Sequence, residues 1–356
     1  MKKIKILVGV LAVILVLFFA LSIVVSLHGK KFIESRIEQS LKMKVSLGKI
    51  SLGFPLSVNI KNLELGNIFK ADVVSFSPNL LGLMAGKVVL DGVTITRPLI
   101  NLEQSPEGKL NLPQIAQKGK QPPVFLTGLT INNGKLIFTD KKISAEGYKT
   151  ILEGINLKVS KVMLPPTSLN TRFNLSANFL SPDGKALGSI DTNGWIDFRP
   201  KNMDAIFQIK DLEVTHFSPY YGDFISSRKI LSGKLNFTSY LKAKNNDLKA
   251  ECKLLLSGLT YEQQALPEGE TKLDLFKSTL DFFTDKEGNL NLEFEINTRL
   301  DKPAITRAEL HKIILNAAKR NLSNQSPQEL YEKVSDTVKQ FKKFGKELKD
   351  IFKNKE

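Results

Sequence analysis

Apolar and polar residues alternate one by one along most of this chain, from Val45 to about Leu300. A period of two places apolar side chains on one face of an extended strand and polar side chains on the other. Turns that contain Gly or Asn separate the alternating runs at intervals that suit short strands. The pattern therefore predicts antiparallel strands with one apolar face. The positions that we predict to line that face are Val58, Ile60, Phe173, Leu175, Phe179, Leu235, Phe237, Leu290, Leu292, Phe294 and Ile296.

Four segments share a glycine that is followed at once by an alternating strand. We expect this glycine to adopt a positive φ in a turn, so that a new strand begins directly after it. The irregular spacing of the segments favours a series of hairpins over a solenoid of fixed period. The segments are Glu107-Gly-Lys-Leu-Asn-Leu112, Asn133-Gly-Lys-Leu-Ile-Phe138, Ser232-Gly-Lys-Leu-Asn-Phe237 and Glu287-Gly-Asn-Leu-Asn-Leu292.

The alternation shows which side of a strand is dry, and two architectures produce the same pattern. In a closed sandwich the apolar residues of two layers meet each other. In an open groove they receive a ligand such as lipid tails. Both architectures stay open at this point, and Trp195 is expected to pack on the apolar face in either of them.

A short amphipathic helix is predicted between residues 30 and 44, where apolar residues recur at helical spacing among charged ones. This helix either lies along a membrane surface or caps the β-rich body. Its apolar positions are Phe32, Ile33, Ile37 and Leu41.

Helical spacing also interrupts the strands at residues 220–230 and 271–283, and it returns after Pro303. Farther on, Ser326-Pro-Gln-Glu329 is typical of a capping box with proline at the first helical position. The helix that it starts either packs on the body or binds a membrane surface or a partner. Its apolar stripe consists of Leu330, Val334, Val338, Phe341, Leu348 and Phe352.

The 22 residues from Ile6 to Leu27 carry no charge. As a helix they would be about 33 Å long, enough to cross a hydrocarbon core of about 30 Å. A cleaved signal peptide would have a shorter apolar region and a small-x-small site after it, and residues 28–31 form no such site. We therefore predict an uncleaved transmembrane anchor. Lysines lie on both sides of it, so charge does not establish its orientation.

The chain has 356 residues, enough for one large domain or two ordinary ones, and a net charge of +15. Residues 1–49 hold nine Lys and Arg against two Glu, a net charge of +7 beside the predicted anchor. Anionic lipid headgroups explain this position well. Nucleic acid is not expected as a partner, because aromatic residues are not interleaved with the basic ones. Cys252, the only cysteine, is expected to be a small core residue.

No residue pattern points to catalysis. The histidines His28, His216 and His311 are far apart, and no His-Glu-x-x-His motif occurs. The Gly-x-Ser-x-Gly elbow and the glycine-rich phosphate loops are also missing from the sequence. We expect a protein that is not an enzyme and has no cofactor or metal.

Taken together, three stretches of the sequence resemble the AsmA-like bacterial envelope proteins. The first joins the anchor to Val45-Ser-Leu-Gly-Lys-Ile50, Asn62-Leu-Glu-Leu65 and Ala71-Asp-Val-Val74. The second joins Gly92-Val-Thr-Ile-Thr-Arg-Pro98 to Leu102 and the segment from Glu107 to Leu112. The third joins Phe217-Ser-Pro-Tyr220, Gly233-Lys-Leu235, Gly258-Leu-Thr-Tyr261, Phe282 to Leu292 and Asp301-Lys-Pro303.

The resemblance implies a mainly β (α+β) fold, in which an elongated, curved antiparallel sheet forms a groove for acyl chains. It also implies a cytoplasmic N-terminus, a body in the periplasm, and phospholipid, the bacterial inner membrane and other envelope proteins as partners. Lipid transport and outer-membrane biogenesis are the expected processes. The alternative is a scaffold or assembly factor that holds another envelope protein.

The predicted organisation has four parts. A cytoplasmic stub and transmembrane anchor occupy residues 1–29, and the amphipathic helix occupies 30–44. The AsmA-like β-rich domain covers 45–302, and amphipathic helices follow in 303–356.

Overall fold

The computed structural model of the chain describes residues 29–53, 56–112, 124–164, 170–225, 229–262 and 288–306, with Glu309, Lys312, Ile313, Asn316 and Ala317. These residues confirm a mainly β fold with a large sheet. Contacts divide the chain into two compact units. The first consists of Met1–Leu212, Tyr240–Leu248 and Arg299–Asp301, and the second of Glu213–Ser239, Lys249–Thr298 and Lys302–Glu356.

In the first unit the strands pair in the order β1-β3-β4-β5-β7-β8-β9-β10-β11, with β2 beside β3 and β6 beside β4 and β7. Their bounds are β1 (Val45–Ser46), β2 (Lys49–Gly53), β3 (Ser57–Leu65), β4 (Phe69–Pro78), β5 (Val88–Thr96), β6 (Leu99–Gln104), β7 (Val124–Asp140), β8 (Tyr148–Leu164), β9 (Thr171–Leu180), β10 (Ala186–Asp197) and β11 (Asn202–Glu213). Two helices belong to this unit, α1 (Lys30–Leu41) and α2 (Leu80–Met84), which connects β4 to β5.

The sheet is mixed, so the prediction of an antiparallel sheet is wrong at one place. Strands β5 and β6 follow each other along β7 and run parallel to it, from Val88 opposite Val124 to Gln104 opposite Asp140. Nineteen residues connect β6 to β7, enough for the crossover that parallel strands require. Alternation of side chains is the same in both pairings, which is why the sequence pattern did not reveal the parallel one.

Helix α1 confirms the short helix predicted between residues 30 and 44. It ends at Lys42, which is left-handed (φ 52°) and donates its backbone N–H to the Glu38 carbonyl at 2.8 Å. Ile33 and Ile37 pack against buried residues of β1, β2 and β3. Of the two positions considered for this helix, the structure shows the cap on the β-rich body.

Two carboxylates fasten α1 to the first strands. Glu34 Oε1 accepts the Leu47 backbone N–H at 2.8 Å, and Glu38 Oε1 accepts that of Val45 at 3.0 Å. Leu47 is fully buried. These bonds satisfy backbone donors that would otherwise be buried without a partner at the sheet edge.

The predicted anchor, Ile6–Leu27, lies outside the residues that the structure describes. Among the described residues, no helix is both long and apolar enough to span a bilayer. The predicted helices over 271–283 and from Ser326 onward also lie outside the described part.

Most of three strands belong to the second unit, β12 (Ile230–Lys244), β13 (Asp247–Tyr261) and β14 (Leu290–Arg299), paired in that order. A 3-10 turn, Val214–Phe217, and α3 (Ser218–Ile225) precede β12. They confirm the helical interruption predicted before Ile230, although it starts earlier than predicted.

A helix after Pro303 was predicted, and the described residues from Glu309 to Ala317 are helical. Thr306 and Glu309 form a capping box at its start. The Thr306 hydroxyl accepts the Glu309 backbone N–H at 3.2 Å, and the Glu309 carboxylate accepts the Thr306 backbone N–H at 2.9 Å. The Thr306 hydroxyl also donates to this carboxylate, at 2.7 Å. The bond from the Thr306 backbone N–H, and then the bond from its hydroxyl, lower the pKa of Glu309.

Of the four predicted glycine turns, one is confirmed and one is confirmed in part. Gly288 (φ 78°) lies two residues before the start of β14. Gly108 (φ 83°) lies in a turn after β6, but only an isolated bridge at Leu110 follows it instead of a strand. The prediction is wrong for Gly134 and Gly233, which lie inside β7 and β12.

Asp301 connects three parts of the first unit that are distant in sequence. Its carboxylate accepts hydrogen bonds from Lys201 Nζ at 2.6 Å and Asn246 Nδ2 at 2.9 Å. Its backbone N–H donates to Asn246 Oδ1 at 3.0 Å. The bonds from Lys201 and then Asn246 lower the pKa of Asp301 from 3.8 to about 2.

We predict that Asp301 stabilises the fold above pH 4 and ceases to do so as the pH falls. A carboxyl whose pKa is lower in the folded state adds stability above its unfolded pKa, and here that stability is lost between pH 3.8 and about pH 2. In urea titrations, Asp301→Asn should lower the unfolding midpoint at pH 7 and show a flatter pH dependence than wild type below pH 4.

Asp247→Asn is the control, because Asp247 is highly exposed and its ion pair with Arg299 is long, at 3.9 Å. It should leave the midpoint nearly unchanged. Equal effects of the two substitutions at pH 7 would contradict the role of Asp301.

Candidate functional site

The register of the first unit places apolar residues from many strands in continuous rows. Residues directly opposite each other in paired strands share a face, so each row can be traced from strand to strand. The middle row contains two predicted residues, Ile60 and Leu175. It runs through Ile50, Ile60, Val74, Ile95, Ile131, Leu157, Leu175, Thr192 and Phe207.

Two further rows flank the middle row on the same face. The upper row contains the predicted Phe173 and runs through Val93, Leu129, Val159, Phe173, Gly194 and Ala205. The lower row contains the predicted Phe179 and runs through Leu65, Phe69, Ile100, Leu136, Leu152, Phe179 and Gly188. We call the surface formed by the three rows the apolar face.

Strict alternation would not keep these rows on one face, because in several strands the middle and lower rows are five positions apart. In four of these places a residue of positive φ lies between the two rows: Asn62 in β3, Arg97 between β5 and β6, Asn133 in β7 and Gly154 in β8. In β4, where Val74 and Phe69 are also five positions apart, no residue between them has a positive φ. In β7 and β8 the register shifts at these points, as in a β-bulge. The extra residue returns the following apolar side chains to the same face.

Side-chain bonds hold this line of irregular residues in place. The Arg97 guanidinium lies 2.6 Å from the Asp72 carboxylate, and the Arg97 backbone N–H donates to the Asn132 carbonyl at 2.8 Å. Asn156 connects the next two strands, because its Oδ1 accepts the Asn133 N–H and its Nδ2 donates to the Gly154 carbonyl. Such bonds offset the cost of left-handed residues that are not glycine.

The centre of the line is tightly packed. Pro98 is fully buried, and Ile155 and Ala177 are 8% and 4% exposed. A Cβ added to Gly134 would lie 3.0 Å from Pro98 Cγ, 3.2 Å from Ile131 Cγ2 and 3.3 Å from Ile155 Cβ. Gly134 and Ile131 therefore face the same side, although they are three residues apart.

We predict that Gly134→Ala lowers the free energy of unfolding by about 1–3 kcal/mol, since the added methyl group overpacks this centre. Gly128→Ala in the same strand is the control, because its Cβ would meet only the Val159 carbonyl, at 3.6 Å. We expect that variant to be neutral or more stable by roughly 0.5–1 kcal/mol. Chemical denaturation measures both, and equal stability of the two variants would contradict the packing argument.

The apolar face is only partly shielded from solvent. On β5 to β9 every member of the three rows is half-buried. At the β2–β3 end, by contrast, Ile50 and Ile60 are 1% and 5% exposed beneath α1. The predicted Val58 packs against that sealed cluster. The face is thus sealed by α1 at one end and lacks a sealing layer, among the described residues, over its middle.

A second cluster lies at the other border of the face. It contains buried Met203 and Ala205 on β11 with Ala243 and Leu248, and the predicted Phe173 packs against it. Phe173 therefore lies where the open middle of the face meets a closed core.

The reverse side of the same strands is polar next to the middle row, whereas Ile137, Ile151 and Leu180 form an apolar row there next to the lower row. Lys158 and Asn174 lie opposite each other there, next to Leu157 and Leu175, and both are exposed. Lys135 and Glu153 form an ion pair of 3.1 Å on this side. Trp195 lies in register with Arg172 and therefore on the polar side, so the expectation that it packs on the apolar face is wrong.

The remaining predicted residues belong to the second unit. Leu290, Leu292 and Phe294 are 1%, 2% and 9% exposed, and they alternate with exposed polar residues as the sequence predicts. Leu235, Phe237 and Ile296 are half-buried. The structure thus places most of the β14 candidates in a sealed core.

The described residues contain no group of His, Cys, Asp and Glu that could hold a metal. His216 packs edge-on against Phe217, with ring centroids 5.2 Å apart. Cys252 is buried as predicted; burial raises the pKa of its thiol, which a contact with Ser239 lowers in part. His28 and His311 lie outside the described residues.

Several members of the rows were not predicted from the sequence, among them Ile95, Ile131 and Leu157. The signal was present as Val93-Thr-Ile95 and Leu129-Thr-Ile131, short alternating runs in adjoining strands. The positive-φ residues interrupt these runs after two or three apolar positions, and a run this short does not indicate which face of the strand is apolar.

No protein-family model and no curated protein matches this chain. The resemblance to the AsmA-like proteins therefore stays a prediction from sequence, and a function has to be argued from the apolar face itself.

Proposed function

We propose that this protein is a single-pass protein of the bacterial inner membrane, with a periplasmic β-rich body of the AsmA-like type that binds phospholipid acyl chains along its apolar face. In this proposal it contributes to lipid transport and outer-membrane biogenesis without catalysing a reaction. The observation that carries the proposal is the half-buried state of the three rows between β5 and β9.

An apolar surface of this extent requires a partner. Monomeric soluble proteins rarely expose contiguous apolar patches larger than a few hundred Å², and such patches commonly mark binding surfaces. Positive-φ residues in four places keep the apolar side chains on one face. Apolar residues exposed at random would not require such irregular backbone. Next to the middle row, its reverse side carries charges and amides, as expected for a side that faces water.

The dimensions of the face suit an acyl chain. The middle row crosses five strand spacings from β5 to β11. At about 4.8 Å each, these spacings give roughly 24 Å. One acyl chain covers one leaflet, which is half of a hydrocarbon core of about 30 Å, so the row is long enough to contact a whole chain. Each CH₂ group removed from water there contributes about 0.8 kcal/mol, while the headgroup stays in solvent.

The position of the predicted anchor agrees with this proposal. The middle row begins at Ile50 and Ile60 under α1. Helix α1 follows the apolar run Ile6–Leu27 in the sequence after two residues. The anchor would therefore hold the start of the apolar face near the bilayer from which lipid enters.

Photocrosslinking tests the proposal on neighbouring residues that face opposite sides. A benzophenone amino acid replaces Leu157, on the apolar face, or Lys158, on the polar side, in the full chain expressed in bacterial membranes. We predict phospholipid adducts in mass spectra of the Leu157 variant and none in those of the Lys158 variant, because only the first side chain contacts acyl chains.

A benzophenone at Leu17, within the predicted anchor, is the positive control for membrane lipid. Lipid adducts at Leu17 with none at Leu157 would overturn the lipid-binding proposal. A stoichiometric protein adduct at Leu157, without lipid, would favour the alternative of a scaffold that holds another envelope protein. The sealed clusters under α1 and on β14 are the observation in favour of that alternative.

A further inference from the structure

Helix α2 presents apolar side chains to solvent to an extent that no other described helix does. Leu80, Leu81 and Met84 are 52%, 77% and 85% exposed. The helix has only five residues, so it is about 7.5 Å long. Isolated exposed apolar side chains are ordinary, but three within one short helix form a patch that a soluble surface has no reason to maintain.

The exposure is a fixed feature of the connection between β4 and β5. Asn79 caps the helix, because its Oδ1 accepts the Gly82 N–H at 2.8 Å while its Nδ2 donates to Asp91 at 2.7 Å. Gly82 lies directly on β5, where a Cβ would come within 2.8 Å of Val89 Cγ2. Packing on this side leaves the apolar side chains pointing outward.

Helix α2 lies at the end of the strands toward which the first residues of α1 point. Glu38, near the end of α1, accepts a hydrogen bond from Val45, and Glu34, one turn closer to the start of α1, accepts one from Leu47. The start of α1 is therefore directed along the chain toward β2 and its end at Gly53. The end of β2 lies beside the start of β3, because Gly53 pairs with Ser57.

The same strand end leads to α2. At the start of β3, Val58 pairs with Phe76, two residues before β4 ends and the chain enters α2. The beginning of α1 is thus directed toward the end of the strands at which the exposed helix α2 lies.

Charge at this end of the strands suits a bilayer surface. Lys30 and Lys31 begin α1, and the exposed Lys87 lies three residues after α2, directly before β5. Basic residues beside an apolar patch are attracted to anionic headgroups, and an amphipathic interfacial segment inserts about 5–10 Å into the headgroup region.

We infer that α2 is a second membrane contact, which inserts Leu80, Leu81 and Met84 into the interface of the bilayer that holds the anchor. This inference rests on the anchor in the proposed function, but not on lipid binding along the apolar face. Two attachments, the anchor and α2, would fix how the sheet is oriented on the membrane, whereas an anchor alone would let it rotate.

The test places an environment-sensitive NBD dye on single cysteines in the full chain. Cys252→Ala removes the buried native thiol, and Leu81→Cys or Met84→Cys introduces the labelling site. Leu112→Cys is the matched control, because Leu112 is also exposed (54%). Leu112 follows β6, which ends beside the end of β7, whereas α2 precedes β5, which begins beside the start of β7. Leu17→Cys reports the anchor.

The labelled proteins are reconstituted into vesicles of phosphatidylethanolamine and phosphatidylglycerol, with or without nitroxide-labelled lipid. We expect blue-shifted emission and a several-fold loss of intensity with the nitroxide lipid for labels at positions 81 and 84. The label at 112 should respond to neither.

A label at 81 that behaves like the one at 112, while the label at 17 is quenched, would overturn the inference and leave the anchor intact. An unquenched label at 17 would overturn both the anchor and the inference. A change at 81 that depends on protein concentration and occurs without vesicles would assign the patch to a protein contact instead, and so contradict the inference. Lipid binding on the apolar face is read separately, from the adducts at Leu157.

Discussion

In a β-sheet each strand sends successive side chains to opposite faces, and this constraint governs how the first unit can build a continuous apolar surface. Rows that cross six to nine strands stay on one face only if every strand keeps the same phase. Positive-φ residues at Asn62, Arg97, Asn133 and Gly154 correct the phase in four places. The ion pair of Arg97 with Asp72 and the amide of Asn156 hold these corrections in place.

The result is a surface whose shielding differs along its length. Under α1, Ile50 and Ile60 form a closed core, and at β11 Met203 and Ala205 do the same. Between them the rows remain half-buried. Full burial of one such side chain stabilises a fold by about 1.5–3 kcal/mol, so a face left half open forgoes part of this stabilisation. A hydrophobic ligand would restore it, which connects the architecture of the sheet to the proposed lipid binding.

Sequence reasoning succeeded where alternation is uninterrupted. It placed Phe173, Leu175 and Phe179 on one face of β9, and the four apolar positions of β14 on one face as well. It failed in β7, because Asn133-Gly134 has the composition of a turn but forms a bulge inside a 17-residue strand. Parallel pairing of β5 and β6 with β7 was also beyond it, since both pairings have the same period. The open middle of the face depends on what packs above it, which a strand pattern does not encode.

If the apolar face holds acyl chains, native mass spectrometry of the full chain extracted from its membrane should detect them. We expect bound phospholipid on the wild-type protein and on Lys158→Glu, whose substitution lies on the polar side. Leu157→Glu, which puts a charge into the middle row, should lose the bound lipid while circular dichroism shows an intact sheet. Wild-type protein that carries no lipid, or equal lipid on the two variants, would contradict lipid binding on this face.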